Sequence, residues 1–157
     1  MPAKVGCTVR VDGTWWGSPH SGPVAAKEVA VAAIGRLELV QVDCQDALSL
    51  GRFWSQILGV EILDVLGDPP HYVNLGLPSE EPNGPALAFQ RVPERKSVKN
   101  RLHFDISVDD VESATARVEA IGGSRALTED VSEYGYHWRV MADPEGNEFC
   151  LIFTVPE

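Results

Sequence analysis

Three side chains in the second half of the sequence have types suited to chemistry: His103, Asp105 and Cys150. A histidine and a carboxylate two residues apart on an extended chain point to the same side, so the pair can act as a general acid or base with an orienting partner. A cysteine becomes a nucleophile when a neighbouring base lowers its pKa. Each residue also has a simpler interpretation, because a histidine can line a polar pocket wall and a cysteine can fill a small space in a core.

Further polar and aromatic side chains are suited to holding a ligand. Tyr134, Tyr136, His137, Trp138 and Arg139 lie close together in the sequence. Aromatic rings beside an arginine can grip a flat or anionic molecule. The same cluster can instead form a contact between two copies of the chain, and both interpretations stay open. The residues that we predict to bind a ligand are Gln41, Asp43, Phe89, Gln90, Trp138, Arg139, Glu148 and Cys150.

The composition narrows the classes of protein that can use such residues. A chain of 157 residues predicts one domain, and a formal net charge of -10 argues against a nucleic-acid surface, which needs clustered Lys and Arg. No apolar run approaches the roughly 20 residues that a membrane span requires. Cys7, Cys44 and Cys150 show no CxxC spacing, which is typical of reduced thiols. We therefore expect a cytoplasmic protein whose partner is a small molecule, with no nucleic acid and no membrane.

Two stretches of the chain repeat one order of predicted elements: a strand, a helix and three strands. β-Forming residues predict the strands, and apolar residues at spacings of three and four predict the helices. The first stretch has strands at 37–42, 60–65, 72–77 and 86–92, with a helix between Asp46 and Gly59. The second has strands at 102–108, 124–128, 137–142 and 148–154, with a helix between Asp110 and the pair Gly122 and Gly123.

One shift superimposes the two stretches. A shift of 64 residues (110 minus 46) brings Asp46 onto Asp110 as helix N-caps and Gly59 onto Gly123 as helix terminators. The apolar helix positions Ala47, Leu50, Trp54 and Ile57 then coincide with Val111, Ala114, Val118 and Ile121. Chance seldom matches a cap, a row of core positions and a terminator together, so we predict two βαβββ modules.

The first strand of each predicted module carries a polar face. Side chains alternate along a strand, so Gln41 and Asp43 share one face, and His103 and Asp105 share the matching face of the second module. Two sheets curved together would enclose a cleft lined by this face; the alternative is a face that meets only solvent. The predicted fold class is α+β, with two βαβββ modules in tandem that form a curved mixed sheet around a cleft and helices packed outside.

The rest of the chain is divided around these modules. Residues 1–35 are rich in glycine and proline, contain the adjacent Trp15 and Trp16, and show no sustained helical or strand period. We predict an irregular N-terminal extension, which either contacts a partner or reflects a misassigned translation start. Residues 36–157 form the predicted domain, with modules at 36–92 and 101–154. The basic stretch from Arg91 to Arg101 is predicted to be a solvated linker between them.

These features resemble the vicinal-oxygen-chelate superfamily, and its glyoxalase-like branch in particular. The resemblance rests on the duplication, on the segment LHFDISVDD at 102–110 and on the segment DPEGNEFC at 143–150. The superfamily includes glyoxalase I, extradiol dioxygenases, fosfomycin-resistance proteins and bleomycin-binding proteins. The resemblance covers residues 36–153, and its motifs are specific for the fold but weak for the reaction.

The resemblance also implies where a metal would lie. Metal-dependent members hold a divalent ion with mostly His, Glu or Gln side chains from the first and last strands of each module. Only His103 retains a strong ligand at these positions. Leu39 and Cys150 occupy two others, and the last strand of the first module offers only Gln90, which coordinates weakly. We therefore expect no standard metal site and no cofactor. A divalent metal held by displaced ligands, such as Gln41 with His103 and Glu148, is the alternative.

Together, the resemblance and the missing ligands predict a function without a defined chemistry. We expect a glyoxalase-like protein that binds a small organic molecule in the cleft between its modules. The alternative is an enzyme of the lyase, isomerase or dioxygenase type that uses His103 with Asp105 or a non-standard divalent metal site. Related proteins often pair modules across a two-fold axis, so we also expect a homodimer.

Overall fold

The computed structural model of the protein describes residues 34–35, 37–76 and 86–155. The chain divides into two units, Met1–Arg36 and Leu37–Glu157, and all elements named below belong to the second. The predicted N-terminal extension, with Trp15 and Trp16, and the loop predicted at 78–85 lie outside the described residues. Of the helices in the described part of the chain, none has the length and apolar character needed to cross a membrane.

The first module folds as a strand, a helix and three strands. Its elements are β1 (Leu39–Cys44), α1 (Ala47–Leu58), β2 (Ile62–Leu66), β3 (Tyr72–Leu75) and β4 (Ala86–Arg91). Asp46 caps α1 by accepting a hydrogen bond from the N–H of Ser49 at 3.0 Å, and Gly59 ends the helix with a φ of 65°. The strands form a sheet in the order β1-β4-β3-β2, in which β1 and β4 are parallel.

The second module repeats this arrangement. Its elements are β5 (Asp105–Ser107), α2 (Val111–Ala120), β6 (Ser124–Arg125), β7 (Val131–Glu133), β8 (Tyr136–Ala142) and β9 (Glu148–Phe153). Asp110 caps α2 by accepting from the N–H groups of Glu112 and Ser113. The strand order is β5-β9-β8-β6, with β7 also pairing with β8 and with β5 and β9 parallel. The fold is therefore α+β with two βαβββ modules, as predicted, and each module has its own hydrogen-bonded sheet.

The outer strand of the second module differs from its predicted form. The sequence predicts one strand at 124–128, whereas the structure divides this edge into β6 and β7. Between them, the Arg125 guanidinium donates to the Thr128 carbonyl at 2.8 Å and to the Asp130 carboxylate at 3.2 Å. These side-chain hydrogen bonds curl the chain away from β8, so pairing stops after Ala126 and resumes at Val131.

A shared hydrophobic core joins the two modules. Trp54 of α1 packs edge-to-face against Phe104 and Phe149 of the second module, with ring centroids 5.2 and 5.1 Å apart. Phe53 also contacts Phe149, at 6.2 Å. Helix α1 therefore contributes to the core beneath both sheets. The helices pack on this side of the two sheets, and the opposite faces point away from them.

The turn between β8 and β9 fastens the second module to the first. Asp143 accepts from the N–H groups of Glu145 and Asn147, both at 2.9 Å, and its other carboxylate oxygen accepts from Trp54 Nε1 at 3.3 Å. The Glu145 carboxylate in turn accepts from the N–H of Gln45 at 2.7 Å, just before α1. This turn therefore holds the start of β9 close to the end of β1.

Candidate functional site

The two sheet faces that point away from the helices carry most of the predicted site residues. Gln41 of β1 lies opposite Ala88 of β4, and Asp105 of β5 lies opposite Cys150 of β9. Residues directly opposite each other share a face. Val42, the next residue after Gln41 on β1, points to the other face and packs against the core. Because the first and last strands pair in parallel in both modules, the two modules present faces with the same backbone geometry but different side chains.

His103, Asp105 and Cys150 come together on the second module. His103 Nε2 lies 3.5 Å from the Asp105 carboxylate, and the potential ligand atoms of all three residues lie within 4.8 Å of one another. The His103 and Asp105 side chains are 48% and 44% exposed, whereas Cys150 is buried. The pair predicted as acid and base is therefore accessible to a ligand, with a thiol beside it.

Neither of the two described cysteines is activated as a nucleophile. Burial, followed by the charge of Asp105 and a hydrogen bond to it, raises the pKa of the Cys150 thiol to about 11. Burial, followed by the charge of Glu145 and other nearby carboxylates, raises the pKa of Cys44 to about 12. Both thiols are therefore protonated at neutral pH, whereas nucleophilic attack requires the thiolate.

A cavity of about 220 Å³ lies where the two modules meet, and we call it the seam cavity. Residues of β1 line one wall, the segment that leads into β5 lines the other, and the β8–β9 turn lies at one end. Trp54 and Phe104 provide apolar surface. The polar residues that line the seam cavity are Gln41, Asp43, Asn100, Arg101, Asp143, Asn147 and Glu148. Gln41, Asp43 and Glu148, which the sequence predicts as ligand-binding residues, thus line one space.

Glu148 anchors the inter-module linker beside the seam cavity. Its carboxylate pairs with Lys96 Nζ at 3.1 Å and accepts from the N–H of Asn100 at 3.0 Å. Burial acts to raise the pKa of Glu148, but hydrogen bonds from the N–H groups of Asn100 and of Glu148 itself, together with the Lys96 ammonium, outweigh it and lower this pKa. The basic linker is exposed over residues 93–99 and is tied to β9 at these two points.

Two other predicted residues lie on the sheet faces that point away from the helices but do not line the seam cavity. Gln90 accepts a hydrogen bond from the Gln41 side-chain amide at 3.0 Å, so it orients that amide. Trp138 lies opposite Ile152 of β9. Ile152 is two residues after Cys150 on the same strand, so Trp138 and Cys150 share one face of the sheet. Its indole is half-buried.

Phe89 and Arg139 lie on the opposite, helix-packed faces of their strands. Phe89 pairs with Val42 in register and is fully buried in the core. Arg139 pairs with Leu151, another core residue, and is only 3% exposed. The predicted ligand contacts of these two residues are therefore corrected, because side chains alternate along a strand and each stands one position away from the ligand-facing row.

The Arg139 guanidinium is fully engaged inside the second module. It donates to the Glu112 carboxylate at 2.7 and 3.1 Å, to the Asp130 carboxylate at 2.7 and 2.8 Å, and to Thr115 Oγ1 at 2.9 Å. Its hydrogen bonds lower the pKa of the Asp130 and Glu112 carboxyl groups and raise its own pKa. This guanidinium therefore ties α2 to the β7–β8 edge and has no donor directed at a ligand.

Two polar residues of the predicted linker also belong to the candidate site. Asn100 and Arg101 line the seam cavity opposite β1. Both belong to the basic stretch between the modules, whose charge suggests a solvated segment. Their closeness in sequence to His103 was the available signal that they lie beside the other site residues.

Two βαβββ modules with a shared core, helices on one side and a polar seam between them define the vicinal-oxygen-chelate class of proteins. The family model for the "Glyoxalase-like domain" matches residues 39–152, and the chain belongs to this family. This match confirms the resemblance inferred from the duplication and the two sequence segments. Comparison with curated protein sequences gives no match.

Solved structures share the fold at low sequence identity. A glyoxalase/bleomycin resistance protein/dioxygenase family enzyme from Burkholderia phytofirmans PsJN aligns with a TM-score of 0.59 at 16% identity, covering 77% of this chain and 100% of that one. A glyoxalase-related enzyme from Fulvimarina pelagi gives 0.59 at 17% identity, with coverages of 77% and 89%. The fosfomycin resistance protein FosX from Listeria monocytogenes gives 0.58 at 13% identity, with coverages of 78% and 96%. These similarities establish the fold and leave the chemistry to the residues of this chain.

The four-strand donor set implied for metal-dependent relatives does not fit this chain. Leu39 occupies the position on β1, and its side chain has no atom that can ligate. The strand register places Ala88 opposite Gln41, where the second module has Cys150 opposite Asp105. The first module therefore supplies no imidazole or carboxylate at the corresponding positions.

Proposed function

We propose that the protein binds a small polar organic molecule in the seam cavity. The observation that carries this proposal is that Asp43 and Arg101, from different modules, line the same cavity. Among the described residues, neither side chain has a hydrogen-bonding or ion-pairing partner. An uncompensated carboxylate and guanidinium around one cavity are suited to a ligand that carries both a donor and an anionic group.

The lining residues define the chemical class of this ligand. A carboxylate or similar anion would pair with Arg101, and a hydroxyl or amino group would donate to Asp43. Trp54 and Phe104 offer a small apolar surface to the rest of the molecule. A volume of about 220 Å³ is below the roughly 300–1,000 Å³ of drug-sized pockets. Hydroxy acids and amino acids of metabolite size therefore fit best.

A thermal-shift screen with excess chelator tests this proposal. A hydroxy or amino acid at about 100 times its Kd should stabilise the protein by about 2.7 kcal/mol, which is roughly 5 °C or more in Tm. Asp43→Asn and Arg101→Ala should each weaken binding at least tenfold, because each removes one of the two charged partners.

Arg52→Ala is the matched control, since Arg52 is an exposed arginine on α1 that does not line the seam cavity. It should leave the ligand-induced shift unchanged. A screen in which no such compound raises Tm without metal would refute the proposal. Ligand-induced rises in Tm that persist in both the Asp43 and Arg101 variants would also refute the proposal.

A second candidate function is acid–base catalysis, and the 3.5 Å approach of His103 to Asp105 favours it. In such an enzyme of the lyase or isomerase type, the substrate would lie on the exposed face beside His103 and Asp105. His103→Ala should then abolish turnover and leave thermal unfolding unchanged, since the imidazole is half exposed. Turnover that survives this substitution, or a variant that loses only stability, would exclude the role.

We also infer a homodimer and a cytoplasmic location. Tyr134, which is 97% exposed in the β7–β8 turn, supports a contact with a second copy. The free thiols of Cys44 and Cys150 support a reducing compartment. Sedimentation velocity tests the first inference, and fractionation of the source cells tests the second.

A further inference from the structure

A second cavity, of about 260 Å³, lies on the helix-packed side of the second module, and we call it the helix cavity. Leu151 of β9, which pairs with Ile106 of β5 and is almost fully buried, forms its floor. Ile57 of α1 and both Ala114 and Val118 of α2 also line it. The helix cavity shares no lining residue with the seam cavity.

The helix cavity exists because α2 carries smaller side chains than α1 at matching positions. The shift of 64 residues that superimposes the modules places Ala114 on Leu50 and Val118 on Trp54. Leu50 and Trp54 are buried in the core, whereas Ala114 and Val118 line the helix cavity. The second module therefore lacks apolar volume at positions that the first module fills, and its aliphatic groups are left without packing partners.

A single cationic side chain stands beside this apolar space. Of the described residues that line the helix cavity, only Arg117 is charged. It is exposed and, within the described part of the chain, makes no hydrogen bond or ion pair. Gln56, the other polar lining residue, donates through Nε2 to the Arg52 carbonyl of its own helix at 3.2 Å. In a chain with a net charge of -10, this guanidinium is thus available to an anionic ligand.

We propose that the helix cavity binds a short aliphatic carboxylate, with its chain over the apolar floor and its carboxylate paired with Arg117. A group the size of a water molecule takes about 30 Å³ of liquid volume, so 260 Å³ holds roughly eight non-hydrogen atoms. Hexanoate has this size. The hydroxy acids and amino acids proposed for the seam cavity suit this site poorly, because its floor offers no partner to a hydroxyl or ammonium group.

A methyl-detected NMR titration of the full-length protein, labelled at Ile, Leu and Val, tests this site. We expect hexanoate to perturb the methyl groups of Ile106, Ile121 and Leu151. Affinity should rise about fourfold for each methylene between butanoate and hexanoate, because each is buried against apolar surface. Decanoate should gain little more, since its additional carbons extend beyond the helix cavity.

Replacement of the cation separates the carboxylate from the chain. Arg117→Gln should weaken hexanoate binding about threefold to fivefold, the effect of an exposed ion pair, and leave hexanol binding unchanged. Arg95→Gln is the matched control, since Arg95 is an exposed arginine of the linker that does not line the helix cavity. It should bind both compounds as the wild type does.

Ala114→Leu introduces the side chain that the first module has at the matching position. It should abolish hexanoate binding and raise Tm by about 3 °C, because leucine fills the helix cavity. Ala116→Leu, at an exposed position of α2 that does not line this cavity, should retain binding. Arg117→Gln lies at an exposed position and gives its result even if Ala114→Leu fails to fold.

Three outcomes would overturn the proposal. The first is a set of Ile106 and Leu151 methyl signals that stay unperturbed at saturating hexanoate, and the second is an Arg117→Gln variant that binds hexanoate as tightly as the wild type. The third is the appearance of the same methyl shifts when the protein alone is concentrated, which would assign the helix cavity to a second copy of the chain. Arg101→Ala should bind hexanoate normally here, so failure of this proposal leaves the seam cavity unaffected.

Discussion

Replacing Arg139 with methionine is expected to lower the free energy of unfolding by about 2 kcal/mol, because a buried guanidinium loses its charge-assisted hydrogen bonds to two carboxylates that solvent reaches. Arg139 is 3% exposed, and its guanidinium makes hydrogen bonds to Glu112, Asp130 and Thr115. Methionine fills similar apolar space but leaves these acceptors without their donor. Urea denaturation of the two proteins at neutral pH measures the difference.

Arg125→Met is the matched control for this result. Arg125 also pairs with Asp130, but its side chain is 34% exposed and its hydrogen bonds reach Thr128 and Asp130 rather than α2. Its loss should cost less than about 1 kcal/mol. If the Arg139 and Arg125 variants were equally stable, the network would not hold α2 to the β7–β8 edge.

The pH dependence of the same pair of proteins gives a second readout. Hydrogen bonds from Arg139 lower the pKa of the Asp130 and Glu112 carboxyl groups below their ordinary values of 3.8 and 4.5. Groups with a depressed pKa in the folded state stabilise the protein above the unfolded pKa, and this contribution is lost as pH falls through the folded pKa. The gap between wild type and Arg139→Met should therefore be full at pH 6 and shrink below about pH 4.5.

Trp54→Ala is expected to cost about 4 kcal/mol, the larger of the two effects. The indole is 2% exposed, packs against Phe104 and Phe149 of the other module, and donates to Asp143 at 3.3 Å. Its removal opens a void at the point where the modules share their core. Chemical denaturation followed by far-ultraviolet circular dichroism measures the loss, since removing Trp54 changes the fluorescence signal.

Trp54→Phe separates the ring from its hydrogen bond. It retains one aromatic ring but loses the Nε1–H donor and part of the indole volume, while Asp143 keeps its hydrogen bonds from Asn147. We expect a cost of about 1–2 kcal/mol for this variant. Unfolding of the wild-type protein in two separate transitions, with Trp54→Ala affecting only one, would contradict a core shared between the modules.

The module repeat was readable in the sequence because its signals are local. Asp46 and Asp110 cap the two helices as predicted, since a capping side chain needs only the backbone three residues ahead. The match between the C-terminal ends of the two helices is less strict. The positive φ of 101° lies at Gly122, one residue before the glycine that the shift aligns with Gly59.

Contacts between distant parts of the chain account for what the sequence did not predict. The division of β6 from β7 depends on Asp130 reaching Arg139 and Arg125, and no local pattern encodes that pairing. The faces of Phe89 and Arg139 depend on strand register, in which a displacement by one residue reverses the face. Arg101 joins the site only because the second module folds back beside β1.

Chemical-shift mapping of the isotopically labelled protein with the best small acid from the screen tests the central claim most directly. In the presence of chelator, we predict that the largest perturbations fall on the Gln41 side-chain amide and on the backbone amides of Asp43, Asn100 and Arg101. The helix cavity is lined by Ile57 of α1 and Arg117 of α2. Perturbations confined to that cavity, or an unchanged spectrum at saturating ligand, would contradict binding in the seam cavity.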